Sequence, residues 1–434
     1  PWYGHAEIGN TGFRFVRIDL LDEAELDITR LRAVFLYRDL RYRGSFRCND
    51  ERLNRIWQTG AYTVHLCMQD LLWDGIKRDR LVWLGDMHPE TKVISSVFGC
   101  VDIVPDSLDF VRDRTPLPGW MNGISSYSLW WVIIQHDWYR YHGTREYLEA
   151  QRPYLLGLLT LLREQIGPEG AERLAGHRFL DWPSSGEETA IHAGLHALLT
   201  MALEAGADLC DVLGETDAEY ACLNAAKKLR LHTPGATPSK VANALLALAH
   251  YAEPAAVNRD VLAVDPCKNV STFYGYYVLQ ARGAAGDYAG ALDLIRRYWG
   301  TMLDFGATTF WEDFDLEWTR NAGRIDELVP EGKQDLHADF GNYCYKGLRH
   351  SLCHGWAGGP TAWLTEHVLG VSPVEPGCGV LKVEPHLAGL RFAEGRFPTP
   401  HGDLEVRHER RADGGIETNV KTPTGVRVIR GDRG

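Results

Sequence analysis

The sequence predicts a mainly helical fold: an α/α toroid with a short β segment before it and a small β-sandwich after it. Three observations carry this. From about residue 49, apolar residues recur at helical spacing through about ten consecutive segments. Loops rich in Gly, Pro and Asp, alternately short and long, separate those segments. At both ends of the chain the apolar period changes to two. A helical solenoid is the alternative arrangement, but no fixed-period repeat is present.

Residues 1–47 read as strands. Phe13-Arg14-Phe15-Val16-Arg17-Ile18-Asp19-Leu20 alternates with period two, and Ala33-Val34-Phe35-Leu36-Tyr37 is rich in β-formers. So short a segment cannot bury two sheet faces, so it reads as the tail of a β-domain or as a linker sheet. The chain opens at Pro1 inside this pattern, and a truncated N-terminus is expected. The lack of a signal peptide then says little about compartment, and periplasm and cytoplasm of a bacterium both stay open.

Residues 48–371 read as the helical domain. Asn49-Asp50-Glu51-Arg52 offers an N-cap with acid in the first turn, and Leu53, Ile56, Trp57, Ala61, Val64, Cys67 and Met68 follow on one face. Further amphipathic stretches cover 88–104, 124–142, 145–166, 190–213, 217–230, 238–251, 271–283, 288–300 and 346–369. Residues 372–434 read as the β-sandwich. Pro373, Pro376, Gly377 and Gly379 end the helical period, and strands are expected at 379–385, 404–409, 418–421 and 425–429.

Composition excludes several function classes. The net charge of −12 repels phosphate backbones and anionic lipid, so neither nucleic acid nor membrane is an expected partner. No apolar run reaches the roughly 18 residues that a membrane span needs. The 14 Trp and 18 Tyr fit a large core and a sugar-stacking site equally well. Nine cysteines with no CxxC pair argue against a disulfide framework or zinc ribbon. His192 and His196 stand at metal spacing with Glu188 one turn earlier, but three ligands over two turns diverge. No metal site and no cofactor are expected, and no Walker loop, HExxH or GxSxG is present.

Four clusters carry candidate chemistry. In Asp74-Gly75-Ile76-Lys77-Arg78-Asp79-Arg80-Leu81-Val82-Trp83-Leu84-Gly85-Asp86, acids, cations and bracketing tryptophans crowd one loop. An Arg between acids gives one carboxylate a cation and leaves another to be tuned separately. Thr308-Thr309-Phe310-Trp311-Glu312-Asp313-Phe314 sets a carboxylate among rings, where desolvation suits a base that activates water. His354-Gly355-Trp356 opens a turn of small residues. In Phe179-Leu180-Asp181-Trp182-Pro183, Asp181 either holds sugar hydroxyls or caps the next helix. The set Trp120, Tyr127, Trp130 and Trp131 reads mostly as core. Two carboxylates on separate loops of a helical toroid are what glycoside hydrolysis requires.

These residues resemble the α-L-rhamnosidases of glycoside hydrolase family 78, six-hairpin glycosidases with an (α/α)6 catalytic toroid between β-domains. The family's acid loop commonly reads Asp-Cys-Pro-x-Arg-Glu-Arg-Leu-Gly-Trp-Thr-Gly-Asp. Asp74, Arg78, Arg80, Leu81, Trp83, Gly85 and Asp86 fall in register with it, and Asp79 stands where the general acid Glu is found. Thr308-Thr309-Phe310-Trp311-Glu312 is similar to the segment carrying the base, and His354-Gly355-Trp356 to a sugar-contacting turn. The likeness continues through Pro385-His386-Leu387 and Pro398-Thr399-Pro400-His401-Gly402.

The resemblance implies an inverting, exo-acting hydrolase that removes terminal α-L-rhamnose. It implies Asp79 as general acid and Glu312 as base. Asp74, Arg78, Asp86, Asp181 and His354 would hold hydroxyls, and Trp83, Trp182, Trp311 and Trp356 would wall the pocket. The acid is expected to have a raised pKa and the base to stay ionised. Gly75-Ile76 and Val82-Trp83-Leu84 depart from the family pattern, and Asp79 is one methylene short. That shortens its reach by roughly 1.5 Å, and a misplacement of about 1 Å can cost on the order of a hundredfold in rate. Another sugar specificity, or a weakened glycan-binding homologue, therefore stays open. Aglycone, linkage and oligomeric state are not encoded in any motif.

Overall fold

The computed structural model describes residues 15–431. Strand β1 (Ser45–Cys48) leads into α1 (Glu51–Cys67), whose cap is Asp50: its carboxylate accepts from the N–H groups of Arg52 and Leu53. There follow α2 (Leu84–Val97), α3 (Ile103–Asp113), α4 (Ser125–His142), α5 (Arg145–Glu164), α6 (Glu188–Leu213) and α7 (Thr216–Leu229). Then come α8 (Lys240–Leu248), α9 (Pro254–Val257), α10 (Gly275–Ala284), α11 (Tyr288–Asp304) and α12 (Gly359–Trp363).

The inner ring closes as α2–α4–α6–α8–α10–α12 and back to α2. Such a ring forms because helices buried all round cannot face water. The buried set on α6 runs nearly unbroken from Ala190 to Leu213, whereas outer α7 buries only Cys222, Ala226 and Leu229. Trp130 on α4 stacks on His88 of α2 at 4.7 Å and on Tyr277 of α10 at 4.9 Å, and those two rings lie 5.7 Å from each other. This is the (α/α)6 toroid.

The β layer holds two sheets. Strands β2 (Val371–Pro373) and β3 (Val380–Val383) pair with the last strand, β7 (Arg427–Arg430), in the order β2–β3–β7. Strands β4 (Phe392–Thr399), β5 (Gly402–Arg410) and β6 (Ile416–Lys421) form the other sheet with β1 at its edge, in the order β1–β4–β5–β6. Phe46 faces Gly395 across the β1–β4 ladder. A segment read as the end of a preceding β-domain thus supplies an edge strand to the C-terminal sheet.

Two expectations differ from the structure. No strand forms over residues 15–20 or 33–37, and Phe13 and Arg14 lie outside the described residues. Phe15, Val16, Ile18 and Leu20 are exposed, as are Val34, Phe35 and Leu36. Alternation makes a strand only beside a partner edge, and the described sheets offer this segment none. The helix expected over 346–369 is broken into a single 3-10 turn at Gly347–Arg349 and a composite of short helical pieces from Gly355 to Val368. Gly347, Gly355, Gly358, Gly359 and Pro360 interrupt what its apolar spacing promised.

Candidate active site

The loop joining α1 to α2 is closed on itself by Asp74. Its carboxylate accepts from the Leu81 N–H at 2.9 Å, and its own N–H donates to the Leu81 carbonyl at 3.0 Å. The Gly355 N–H donates to the Asp74 carbonyl at 2.7 Å, and Gly75 bridges to His354. The loop is thereby stitched to the turn at 354–356. Arg78 is its hub. The guanidinium donates through Nη2 to Glu312 Oε2, faces Asp79 Oδ1 from Nη1 at 3.5 Å, and lies 4.9 Å from the Tyr345 ring. Its Nε donates to the Arg349 carbonyl at 2.7 Å.

Glu312 sits on irregular chain after α11, held by its backbone. Its N–H donates to the Ser351 carbonyl at 3.0 Å, and its carbonyl accepts from Thr272 Oγ1 at 2.6 Å and Trp356 Nε1 at 3.0 Å. The Ser351 N–H donates to Oε2 at 3.0 Å. Oε2 therefore has two donors, while Oε1 faces His354 Nδ1 at 3.7 Å. On its other side His354 Nε2 meets Asp86 Oδ2 at 3.1 Å, in the first turn of α2.

These groups line a cavity of about 320 Å³. Asp74, Arg78, Asp79, Trp83, Asp86, Trp182, Glu312, His354 and Trp356 all reach it. Trp356 stacks on Phe273 at 4.7 Å, Trp83 meets Tyr127 edge-on at 6.0 Å, and Trp182 stacks on Tyr343 at 5.6 Å. Two expected residues are elsewhere. Trp311 is fully buried, edge-on to Phe314 at 5.3 Å, and walls nothing. Asp181 takes the capping role: its oxygens accept from the Trp182 N–H at 2.7 Å and Ser271 Oγ at 2.6 Å, behind the cavity.

Several lining residues lie outside the set expected to touch substrate. Tyr345, whose hydroxyl accepts from Trp182 Nε1, lies with Cys344 and Arg349 in the long irregular stretch after α11. A connection of that length is itself a sign of function. His177 and Phe179 enter from the loop before α6, and Tyr127, read as core, reaches the wall from α4. A larger cavity, 680 Å³, opens between the inner helices and the β layer. Its central Lys92 is neutralised by Asp137 at 3.4 Å and Glu366 at 3.1 Å. The His192–His196 pair is also internally bonded, His192 to Glu172 and His196 to the Leu229 carbonyl. Among the described residues no cluster of His, Cys, Asp or Glu has the arrangement of a metal site.

The electrostatics of Glu312 depart from expectation. Burial raises its carboxyl to about 7, against the pull of Arg78 and the Ser351 N–H, where a base that stays ionised was expected. A carboxylate at the floor of a dry pocket loses its hydration whatever its role.

Asp74 and Asp86, at the cavity wall, and Glu90 are buried and held well above the usual carboxylate range, first by burial and then by one another. The folded protein therefore binds more protons than the unfolded chain. Stability from this group is complete below the unfolded carboxylate values of about 4 and falls as pH rises towards the folded ones. Thermal melts from pH 5 to 8 should show Glu90→Gln gaining on the wild type as pH rises, because the variant has no proton to lose there; the buried histidines held neutral affect both proteins alike. A second expectation follows from Gly355, where an added Cβ would fall on the Glu90 carboxyl. Gly355→Ala should destabilise by about 1–3 kcal/mol. Urea melts of the variant with and without Glu90→Ala test it, because the second change should relieve the clash.

Residues 41–231 match the model for the bacterial alpha-L-rhamnosidase 6 hairpin glycosidase domain, and residues 370–429 that for the bacterial alpha-L-rhamnosidase C-terminal domain. The chain belongs to the bacterial α-L-rhamnosidase family. An α-L-rhamnosidase of Alteromonas sp. (strain LOR) is 32% identical over 127 residues, which is 29% of this chain and 11% of that protein.

Among solved structures, the GH78 family rhamnosidase of Bacillus sp. GL1 is similar with a TM-score of 0.76 and 24% identity, over 91% of this chain and 43% of that one. The α-L-rhamnosidase of Dictyoglumus thermophilum gives 0.74 and 17%, over 91% and 46%. That of Streptomyces avermitilis, solved with L-rhamnose, gives 0.72 and 17%, over 91% and 39%. At these identities the likeness is one of fold. This chain spans less than half the length of each of these structures and about a tenth of the curated relative. The first family model takes in Asp79, and neither reaches Glu312 or His354.

Proposed function

We propose that this rhamnosidase-family chain removes terminal α-L-rhamnose from a glycan or glycoside, as an exo-acting, inverting hydrolase. Asp79 gives its proton to the glycosidic oxygen as the C1–O bond breaks. A water attacks C1 from the opposite face and loses its proton to Glu312 Oε1, the oxygen that neither Arg78 nor Ser351 occupies. Exchange with solvent then returns a proton to Asp79 and removes one from Glu312.

The observation that carries this reading is the single guanidinium between the two carboxyls. Arg78 meets Asp79 with one nitrogen and Glu312 with the other, at the floor of an aromatic-walled cavity. A gap that holds a guanidinium favours the separation of roughly 6.5–9.5 Å used in inversion over the roughly 5 Å of retention. A volume of 320 Å³ is near the lower end of ligand pockets, roughly 300–1,000 Å³, and suits one sugar ring bound from its end. Asp74 and Asp86 would hold ring hydroxyls, and Trp83, Trp182 and Trp356 the apolar faces. Asp181 would orient Trp182 from behind.

Proton NMR during hydrolysis of p-nitrophenyl α-L-rhamnoside tests the reading. β-L-Rhamnose should appear first and mutarotate afterwards. First appearance of the α-anomer would overturn inversion. The shortness of Asp79 favours one other reading, the same fold serving another sugar or binding glycan with little turnover. Cleavage of a different aryl glycoside with the rhamnoside untouched, or calorimetric sugar binding without turnover, would select it.

A further inference from the structure

We propose that His354, backed by Asp86, is a positioning residue that keeps Glu312 a carboxylate by donating from Nδ1 to Oε1. This rests on the reading of Glu312 as the base. The geometry is a line of three groups: Asp86 Oδ2 to His354 Nε2 at 3.1 Å, then His354 Nδ1 to Glu312 Oε1 at 3.7 Å. His354 is buried, and its Nδ1 has no hydrogen-bond partner among the described residues. Buried polar atoms without partners are rare and call for a reason. The carboxylate oxygen it faces, at 3.7 Å, is the one that the mechanism leaves open for water. Catalytic hydrogen bonds are often long in an empty site and shorten when substrate binds.

The direction of the line follows from proton counting. A neutral imidazole has one N–H and one lone pair. Burial and the Arg78 cation hold His354 neutral. If Nε2 carried the proton, the Nδ1 lone pair would face the Glu312 carboxylate and repel it. If Asp86 carries a proton and donates it to Nε2, Nδ1 bears the hydrogen and faces Oε1 as a donor. Asp86 is placed to be a carboxylic acid. It is buried, and Glu90, one turn further along α2, is buried beneath it with neither carboxyl oxygen hydrogen-bonded. The charged and titratable groups around Glu312 come from three elements. Asp74, Lys77, Arg78 and Asp79 stand on the α1–α2 loop, Asp86 on α2, and Cys344, Tyr345, His350 and His354 on the segment before α12. Arg78 and the Ser351 N–H stabilise Oε2 as charged, and among the described residues His354 is the group recorded facing Oε1.

The test is the acidic limb of the kcat/KM–pH profile on p-nitrophenyl α-L-rhamnoside, which reports the base of the free enzyme. His354→Ala should move that limb to higher pH by about one unit, a tenfold loss at pH values below it. His354→Asn places an amide N–H near the site of Nδ1–H and should bring the limb back towards the wild-type position. Asp86→Asn, which keeps a donor towards Nε2, should leave the limb in place, whereas Asp86→Ala should move it as His354→Ala does. A residue that only touches sugar would raise KM and leave the limb where it was. That result in both alanine variants overturns the proposal. The asparagine variants keep the test valid if an alanine variant fails to fold. Glu312→Gln separates the two readings: if it retains wild-type activity, the base assignment has failed and the positioning role with it. If Glu312→Gln is inactive and the limb is unmoved by His354 and Asp86 changes, only the positioning role has failed.

Discussion

Glu312→Gln is expected to lower kcat on p-nitrophenyl α-L-rhamnoside by about 10²–10⁴-fold with little change in KM. Glutamine keeps the length and an oxygen that can accept from Arg78 and the Ser351 N–H, so the floor of the cavity should stay in place. What it removes is the ability to take a proton from water. The pH dependence sharpens the expectation. Burial raises the Glu312 carboxyl to about 7, and a base works only when ionised. Activity should therefore rise with pH through about 7 and be lost as pH falls below it. A kcat/KM profile flat from about pH 4 to 8 would remove Glu312 from this role. A wild-type rate in the glutamine variant would do so more directly.

Asp79→Asn is expected to lose about 10²–10⁴-fold on a rhamnoside with a poor leaving group, such as an alkyl glycoside. The loss should be far smaller on 2,4-dinitrophenyl α-L-rhamnoside. A departing dinitrophenolate needs no proton, so removal of the general acid is masked there. Asp79 is partly open to the cavity, in contrast to Glu312, so its proton can be renewed from solvent. Equal losses on both substrates would mean that Asp79 binds or positions instead of donating. Asp79→Glu is the companion variant. It restores the length usual in the family, and a gain on the poor leaving group would show that reach limits the rate.

Much of the site was legible because it is contiguous. Asp74 to Asp86 lie within a single loop, and their order, with Arg78 beside Asp79, is a local property of the chain. Helical periodicity likewise announced the ring, because an inner helix must bury nearly every face and an outer one only a stripe. Asp50 as a cap needed no more than its neighbours.

The tertiary structure decided the rest. Trp311 and Trp356 stand beside equally suggestive residues, yet one is core and the other is cavity wall. No local pattern says which face of an irregular segment turns inward. Asp181 had two readings of equal merit, and the position of Ser271, on a segment far along the chain, selected the cap. Strand β1 found its partner in β4, nearly the whole ring later, while the described part of the alternating segment, residues 15–20, found none.

By itself, then, the sequence determined the elements, the ring and the chemistry-bearing loop, because these depend on neighbours in the chain. Which carboxyls share Arg78, which histidine nitrogen lacks a partner, and which acid has its pKa raised depend on distance and burial. Those are set only when segments far apart in sequence, such as 74–86 and 312–356, are brought to one floor. Desolvation and Coulomb energy act through space, and the order of residues does not record them.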